Sequence, residues 1–229
     1  MLRSAAVQRI NRAIGFRPSG NPLEATIVLA LQEAQRDLER GKTLPKFLLQ
    51  ENQTLTLVTG SHTVAKPSGF IRENDETRIR FFPATSDVPR FLSRRYYIDA
   101  VEANVRSSTD PDTTVEPVAP SVYVVRKSTI DFITVADVNY TLFWDYYKAA
   151  DELTSDIENA WLVSNPATPE LGAPEWLIGE AGLRVAQDLR DQMAIQTFST
   201  IRQAGRAACF GETIASEDAS GPIQMGANL

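Results

Sequence analysis

Thr54-Leu55-Thr56-Leu57-Val58-Thr59 alternates apolar and hydroxyl side chains and is rich in β-branched residues. A period of two places one set of side chains on each face of a strand, and branched Cβ atoms suit a pleated surface. This stretch decides the fold because helical texture lies on both sides of it. Further along, Arg78-Ile79-Arg80-Phe81-Phe82 continues the pattern after the turn-like Glu73-Asn74-Asp75. Ser121-Val122-Tyr123-Val124-Val125, Thr129-Ile130-Asp131-Phe132 and Asn139-Tyr140-Thr141-Leu142-Phe143-Trp144 predict three more strands. The polar run Ser107-Ser108-Thr109-Asp110-Pro111-Asp112 reads as a loop. Short connections make the whole region antiparallel.

Upstream, Asn21-Pro22-Leu23-Glu24 has the form of a helix start: a capping Asn, Pro in the first turn, and Glu three residues after the cap. Leu23, Ile27, Leu31, Ala34 and Leu38 then form an apolar stripe that ends at Gly41, with Gln32, Glu33, Arg36, Asp37 and Glu39 opposite. The preceding Ile10, Ile14 and Phe16 suit a shorter helix or an arm. Downstream, Ser155-Asp156-Ile157-Glu158 has capping-box spacing and opens a helix through Trp161 that Asn165-Pro166 stops. A long helix is expected over 174–210, carrying Ile178, Ala181, Val185, Leu189, Met193, Phe198, Ile201 and Ala208. The five-residue step from Met193 to Phe198 shifts its stripe sideways, so it would meet two surfaces. After residue 210 the chain is Gly, Ala and Ser with few large apolar groups, too few to build a core. The expected architecture is α+β: a helical bundle body (1–52 and 146–210), an inserted antiparallel β domain (53–145) and an extended, flexible C-terminal tail (211–229).

A chain of 229 residues with 43% hydrophobic side chains can bury a sizeable core. Its net charge of −6 argues against a duplex-binding protein, since such affinity comes from Lys and Arg neutralising phosphates. Arg90, Arg94 and Arg95 cluster, but nearby acids dilute them. One cysteine excludes an intramolecular disulfide, and Ala207-Ala208-Cys209-Phe210 reads as helix packing. No segment approaches the ~20 apolar residues of a membrane span, and the N-terminal apolar stretch is too short for a secretory signal.

Chemistry is scarce. A single histidine, His62, sits beside the turn-like Thr59-Gly60-Ser61, and two Cys or His residues in all are too few for zinc. No nucleophile elbow, phosphate loop or dinucleotide fingerprint is present; Gly179 and Gly182 lie within a helix and mark close packing. Asp75/Glu76, Asp110/Asp112, Asp151/Glu152 and Asp156/Glu158 pair acids, but in turns and first helical turns, where capping and the helix dipole favour them. Tyr96, Tyr97, Tyr140, Phe143, Trp144, Tyr146 and Tyr147 suit core and seam positions better than a binding platform. No catalytic residue, cofactor or metal site is expected.

Several segments, taken in order, resemble the head-to-tail adaptor (connector or head-completion) proteins of tailed phages. They are Leu44-Pro45-Lys46-Phe47-Leu48-Leu49-Gln50-Glu51, Gly69-Phe70-Ile71-Arg72-Glu73, Tyr147 through Asp151 to Leu153-Thr154, then Asn159 with Trp161-Leu162, Asp188, and Pro222-Ile223-Gln224-Met225-Gly226-Ala227. The stretch from Pro83 to Pro120 matches less well. The resemblance implies a non-enzymatic virion protein of the neck, assembled in the host cytoplasm. Its subunits would form a homo-oligomeric ring, dodecameric in the virion, under the portal protein. That ring would extend the DNA channel, pass DNA without sequence-specific binding, and present a platform to a tail or nozzle protein, with no membrane involved. Ile223, Met225 and Leu229 are the sizeable apolar groups after Ile214, and they are the expected anchors of the tail on the portal or a neighbour. Two alternatives are a tail-terminator or other neck component, and a carboxylate-based hydrolase with two facing acids.

Overall fold

The computed structural model describes residues 1–15, 22–74, 76–84, 87–95, 118–156, 159–163 and 173–210. The chain is α+β and divides into two compact units: Met1–Leu48 with Ala150–Leu229, and Leu49–Ala149.

In the first unit, α1 (Arg3–Ala13) is the short helix expected from Ile10 and Ile14, with Ala6, Val7 and Ile10 buried. Helix α2 (Pro22–Glu39) buries Ile27, Leu31 and Ala34 from its predicted stripe. Its capping Asn21 lies outside the described residues. The expected long helix over 174–210 is instead two helices, α3 (Pro174–Asp188) and α4 (Gln192–Phe210). Leu189, Arg190 and Asp191 make the break, with Arg190 in the left-handed region at φ 55°. The five-residue step in the stripe therefore marks a reversal of the chain rather than a sideways drift. The two helices run antiparallel at close range. A Cβ on Gly179 would lie 2.5 Å from the Arg202 backbone nitrogen, and one on Gly205 would lie 2.2 Å from that of Trp176.

The Ser155 capping box does not open a helix: residues 153–156 are bends. The structure has a short 3-10 turn at Ala160–Leu162, whose cap is Asn159; its side chain accepts from Trp161 N–H at 2.9 Å. Asn and Asp readily take this role because a short polar side chain reaches the second amide of the turn.

In the second unit, β1 (Leu49–Leu57) and β9 (Tyr140–Lys148) are both longer than the alternating stretches that announce them. Strand β9 is central, pairing antiparallel with β1 on one side and with β3 (Phe70–Glu73) and β4 (Arg80–Phe81) on the other. Strand β5 (Arg90–Phe91) extends the sheet beyond β4. A second sheet has the order β2-β8-β7-β6, with β2 at Thr63–Ala65, β6 at Ser93–Arg94, β7 at Val122–Val125 and β8 at Thr129–Phe132. The antiparallel expectation fails at one described pair, because β6 and β7 run parallel. The connection between them spans 95–121, long enough for the crossover a parallel pair requires. Leu57, Ile79, Phe81, Leu92, Tyr123, Phe132, Leu142 and Trp144 form the core of this unit. Residues 107–112, expected as a loop, lie outside the described residues.

Candidate functional site

Three acids, Glu39, Glu73 and Asp145, are buried and serve the two cores. In the helical unit, Glu39, placed by helical periodicity on the polar face of α2, is in fact buried. Its Oε1 accepts from Trp161 Nε1 at 2.9 Å, Gln35 Nε2 at 3.1 Å and the Ala150 N–H at 3.1 Å. Gln35 also donates to the carbonyls of Ala150 and Asp151, and Asn159 donates to that of Asp151. A buried polar group costs free energy unless it is hydrogen-bonded, and this network provides the partners. Phe47 packs edge-on to Trp161 at 5.1 Å, and Trp161 to Trp176 at 5.7 Å. Phe47 thus bears on the tryptophan of the Asn159–Leu162 segment.

In the β unit, Glu73 ends β3 instead of opening a turn and is buried. Its Oε1 accepts from Tyr123 OH at 2.6 Å and Trp144 Nε1 at 2.9 Å, while Arg94 Nε lies 2.9 Å from Oε2. Burial, reinforced by the Glu73 charge, pushes the Tyr123 phenol well above its ordinary range. Asp145 occupies a second buried site. It accepts from the Asn52 N–H at 2.6 Å and from Arg80 Nη1 at 3.2 Å, and Arg80 also donates to the Asn52 side chain. Burial alone would raise this carboxyl, but the Asn52 amide and the Arg80 guanidinium together hold it below the ordinary value of 3.8. Asn52 sits in the left-handed region at φ 53°, within a bulge of β1. Asn tolerates that conformation better than most residues.

Among the described residues, the paired acids do not form a cluster. Glu152 pairs with Arg36, and Asp156 accepts from the Ser4 N–H at 2.7 Å. Asp151 contributes its carbonyl to the Glu39 network. Asp75, Asp110, Asp112 and Glu158 lie outside the described residues. Among the described residues no group of three or more His, Cys, Asp or Glu side chains is placed to hold a metal ion. His62 lies between the Gly60 turn and β2, and its carbonyl accepts from the Phe132 N–H. Cys209 is partly buried, and burial pushes its thiol up to about 11. Trp144 and Tyr146 are core residues, whereas Tyr96 and Tyr97 lie outside the described residues.

Large apolar groups reach the surface at several positions, Leu29, Val58 and Val138 among them, and two further groupings stand out. At the α3–α4 turn, Leu189 is 42% and Met193 81% exposed. Around β4 and β5, Phe82, Val88 and Phe91 are exposed, and Phe82 stands edge-on to Phe143 at 5.6 Å. Sequence periodicity counted Leu189 and Met193 in a buried stripe and so missed the first. Nothing in the local composition of the β5 region signalled the second. Ile223, Met225 and Leu229, the expected anchors, lie outside the described residues. Among the described residues no helix is long and apolar enough to cross a membrane.

Buried acids and tryptophans in two packed cores, with large apolar groups exposed at a helical turn and a strand edge, describe an α+β protein whose described residues bring no catalytic cluster together. A family model described as SU10 adaptor protein matches residues 2–224, and the chain belongs to that family of phage adaptors. No curated protein matches the chain.

Proposed function

We propose that the chain is a head-to-tail adaptor that works without catalysis. Its copies form a homo-oligomeric ring under the portal, dodecameric in the virion, which extends the DNA channel and offers a platform to a tail or nozzle protein. The observation that carries this reading is the family match, which runs through both units. The chemistry of the described residues supports it. Glu39, Glu73 and Asp145 are each spent on a hydrogen-bond network, so the work falls to surfaces. An acidic balance also suits a channel lining, because a strongly basic one would hold DNA through counterion release. The exposed Leu189 and Met193 and the tail anchors Ile223, Met225 and Leu229 are the contacts assigned to portal and neighbour.

Mixing the purified chain with its portal should give ring-shaped complexes in negative-stain micrographs. A chain that stays monomeric beside the portal at high concentration would sink the assignment. Replacing Ile223, Met225 and Leu229 together by Ser should weaken capture by the portal while leaving the unfolding midpoint of the free chain unchanged.

A further inference from the structure

In the ladder of the first sheet, Thr54, Phe143, Arg80 and Phe91 stand directly opposite one another on β1, β9, β4 and β5. Residues aligned in this way share one face of a sheet. The next row, Leu55, Leu142, Phe81 and Arg90, turns the other way and carries Leu142 and Phe81 into the core. The first row therefore points away from the core, and by alternation Phe82 and Arg78 join it. Phe82 is 48% and Phe91 60% exposed, and the half-buried Phe143 lies beside Phe82. Arg80 is committed to Asp145, whereas Arg78 is exposed and pairs with no acid of the described residues.

Exposed apolar groups clustered in this way mark a docking site. We propose that its occupant is the α3–α4 turn of a second copy of this chain. Leu189 and Met193 of that copy pack against Phe82, Phe91 and Phe143, and its Asp188 faces Arg78.

Two observations select this occupant. The first is charge. The turn holds two acids, Asp188 and Asp191, against one arginine, Arg190. Asp191 accepts from the Ala194 N–H at the start of α4. Asp188 is exposed and has no partner among the described residues, which leaves it to meet the unpaired Arg78. The second is form. The chain reversal at residues 189–191 projects two exposed apolar side chains, and the sheet offers a broad row of rings. The unbranched thioether of Met193 adapts readily to ring edges.

Neither surface suits a copy of itself. Sheet against sheet would set Arg78 against Arg78, and turn against turn would set Asp188 against Asp188, and like charges brought together disfavour a contact. A single exposed ion pair contributes little energy, so its part is to fix the partner and the orientation. A contact between two different patches repeats from copy to copy and closes into a ring when the rotation allows. The inference rests on the ring proposed above and specifies which surfaces of neighbouring subunits meet in it.

The test uses the full chain with its portal, rings being scored first for the parent in negative-stain micrographs. In a Cys209→Ser background, one variant carries Phe91→Cys and Met193→Cys together and two others carry either change alone. A short bismaleimide should turn the double variant into a ladder of covalent dimers, trimers and higher species of the chain, and leave both single variants monomeric on denaturing gels. Adding Arg78→Glu should slow the cross-linking about threefold, and adding Asp188→Arg to that variant should restore it. A second readout needs no cross-linker: Phe91→Asp and Met193→Asp should each abolish the rings while leaving the melting temperature of the free chain unchanged. Parent rings without a ladder overturn this contact and leave the ring standing. So do chain dimers of a single variant, a ladder indifferent to Arg78→Glu, or rings that persist in either Asp variant. Absence of rings in the parent overturns the contact together with the reading it rests on.

Discussion

The three buried acids show how far a residue's role can depart from its place in a pattern. Glu39 falls on the polar side of α2 by periodicity, yet the Trp161 indole and the Ala150 amide need its carboxylate. The only advance sign was that buried tryptophans need an acceptor, and sequence does not say which one. Removing that acceptor strands buried donors at a cost of roughly 1–3 kcal/mol each. Glu39→Ala should therefore lower the urea midpoint clearly, whereas Glu33→Ala, on the exposed side of the helix, should shift stability by no more than about 0.5 kcal/mol. Asp145 adds a dependence on pH. Its folded value is depressed, so protons bind the unfolded chain more readily. This share of stability is complete above about pH 4 and drains away as the pH falls through the folded value. Asp145→Asn should be less stable than the parent at pH 7, by about 1.5–3 kcal/mol for the lost charged hydrogen bonds. The gap should narrow in unfolding curves taken near pH 3.

At the scale of elements, legibility followed length and composition. Alternating β-branched runs announced β1, β7, β8 and β9, whereas β5 and β6 have two residues each and exist through the partners they pair with. The break between α3 and α4 was hidden because Leu189-Arg190-Asp191 contains neither Gly nor Pro. An Arg there carries the left-handed conformation at a cost of about 1–2 kcal/mol. Arg190→Gly should recover part of it and raise the melting temperature by a few degrees in a calorimetric scan. Gly179 and Gly182 were read as packing positions, Gly205 was not singled out, and all three leave no room for a Cβ. Gly205→Ala would place a Cβ against the Trp176 backbone, and such overpacking costs about 1–3 kcal/mol. Ala204→Ser, exposed on the same helix, is the control and should leave the melting temperature unchanged.

Across the whole molecule, the balance of charge makes a prediction of its own. With a net charge of −6 and acids diluting its one arginine cluster, the chain should not retard duplex DNA at micromolar protein and physiological salt in a gel-shift experiment. Retention there would point to a basic face that the composition conceals. The α+β class was readable from sequence because it depends on patterns along the chain. The exposed turn at Leu189 and Met193 was not, because it depends on where the chain reverses. The central place of β9 has a consequence for how the protein is made. Among the described residues, strands β1 and β3 have no ladder partner but β9, and Tyr140 leaves the ribosome roughly eighty residues after Leu57. At about 5–20 residues per second, the early strands wait some 4–16 s with bare edges before their template arrives. Nascent chains stalled before residue 140 should thus be the most avid clients of holding chaperones.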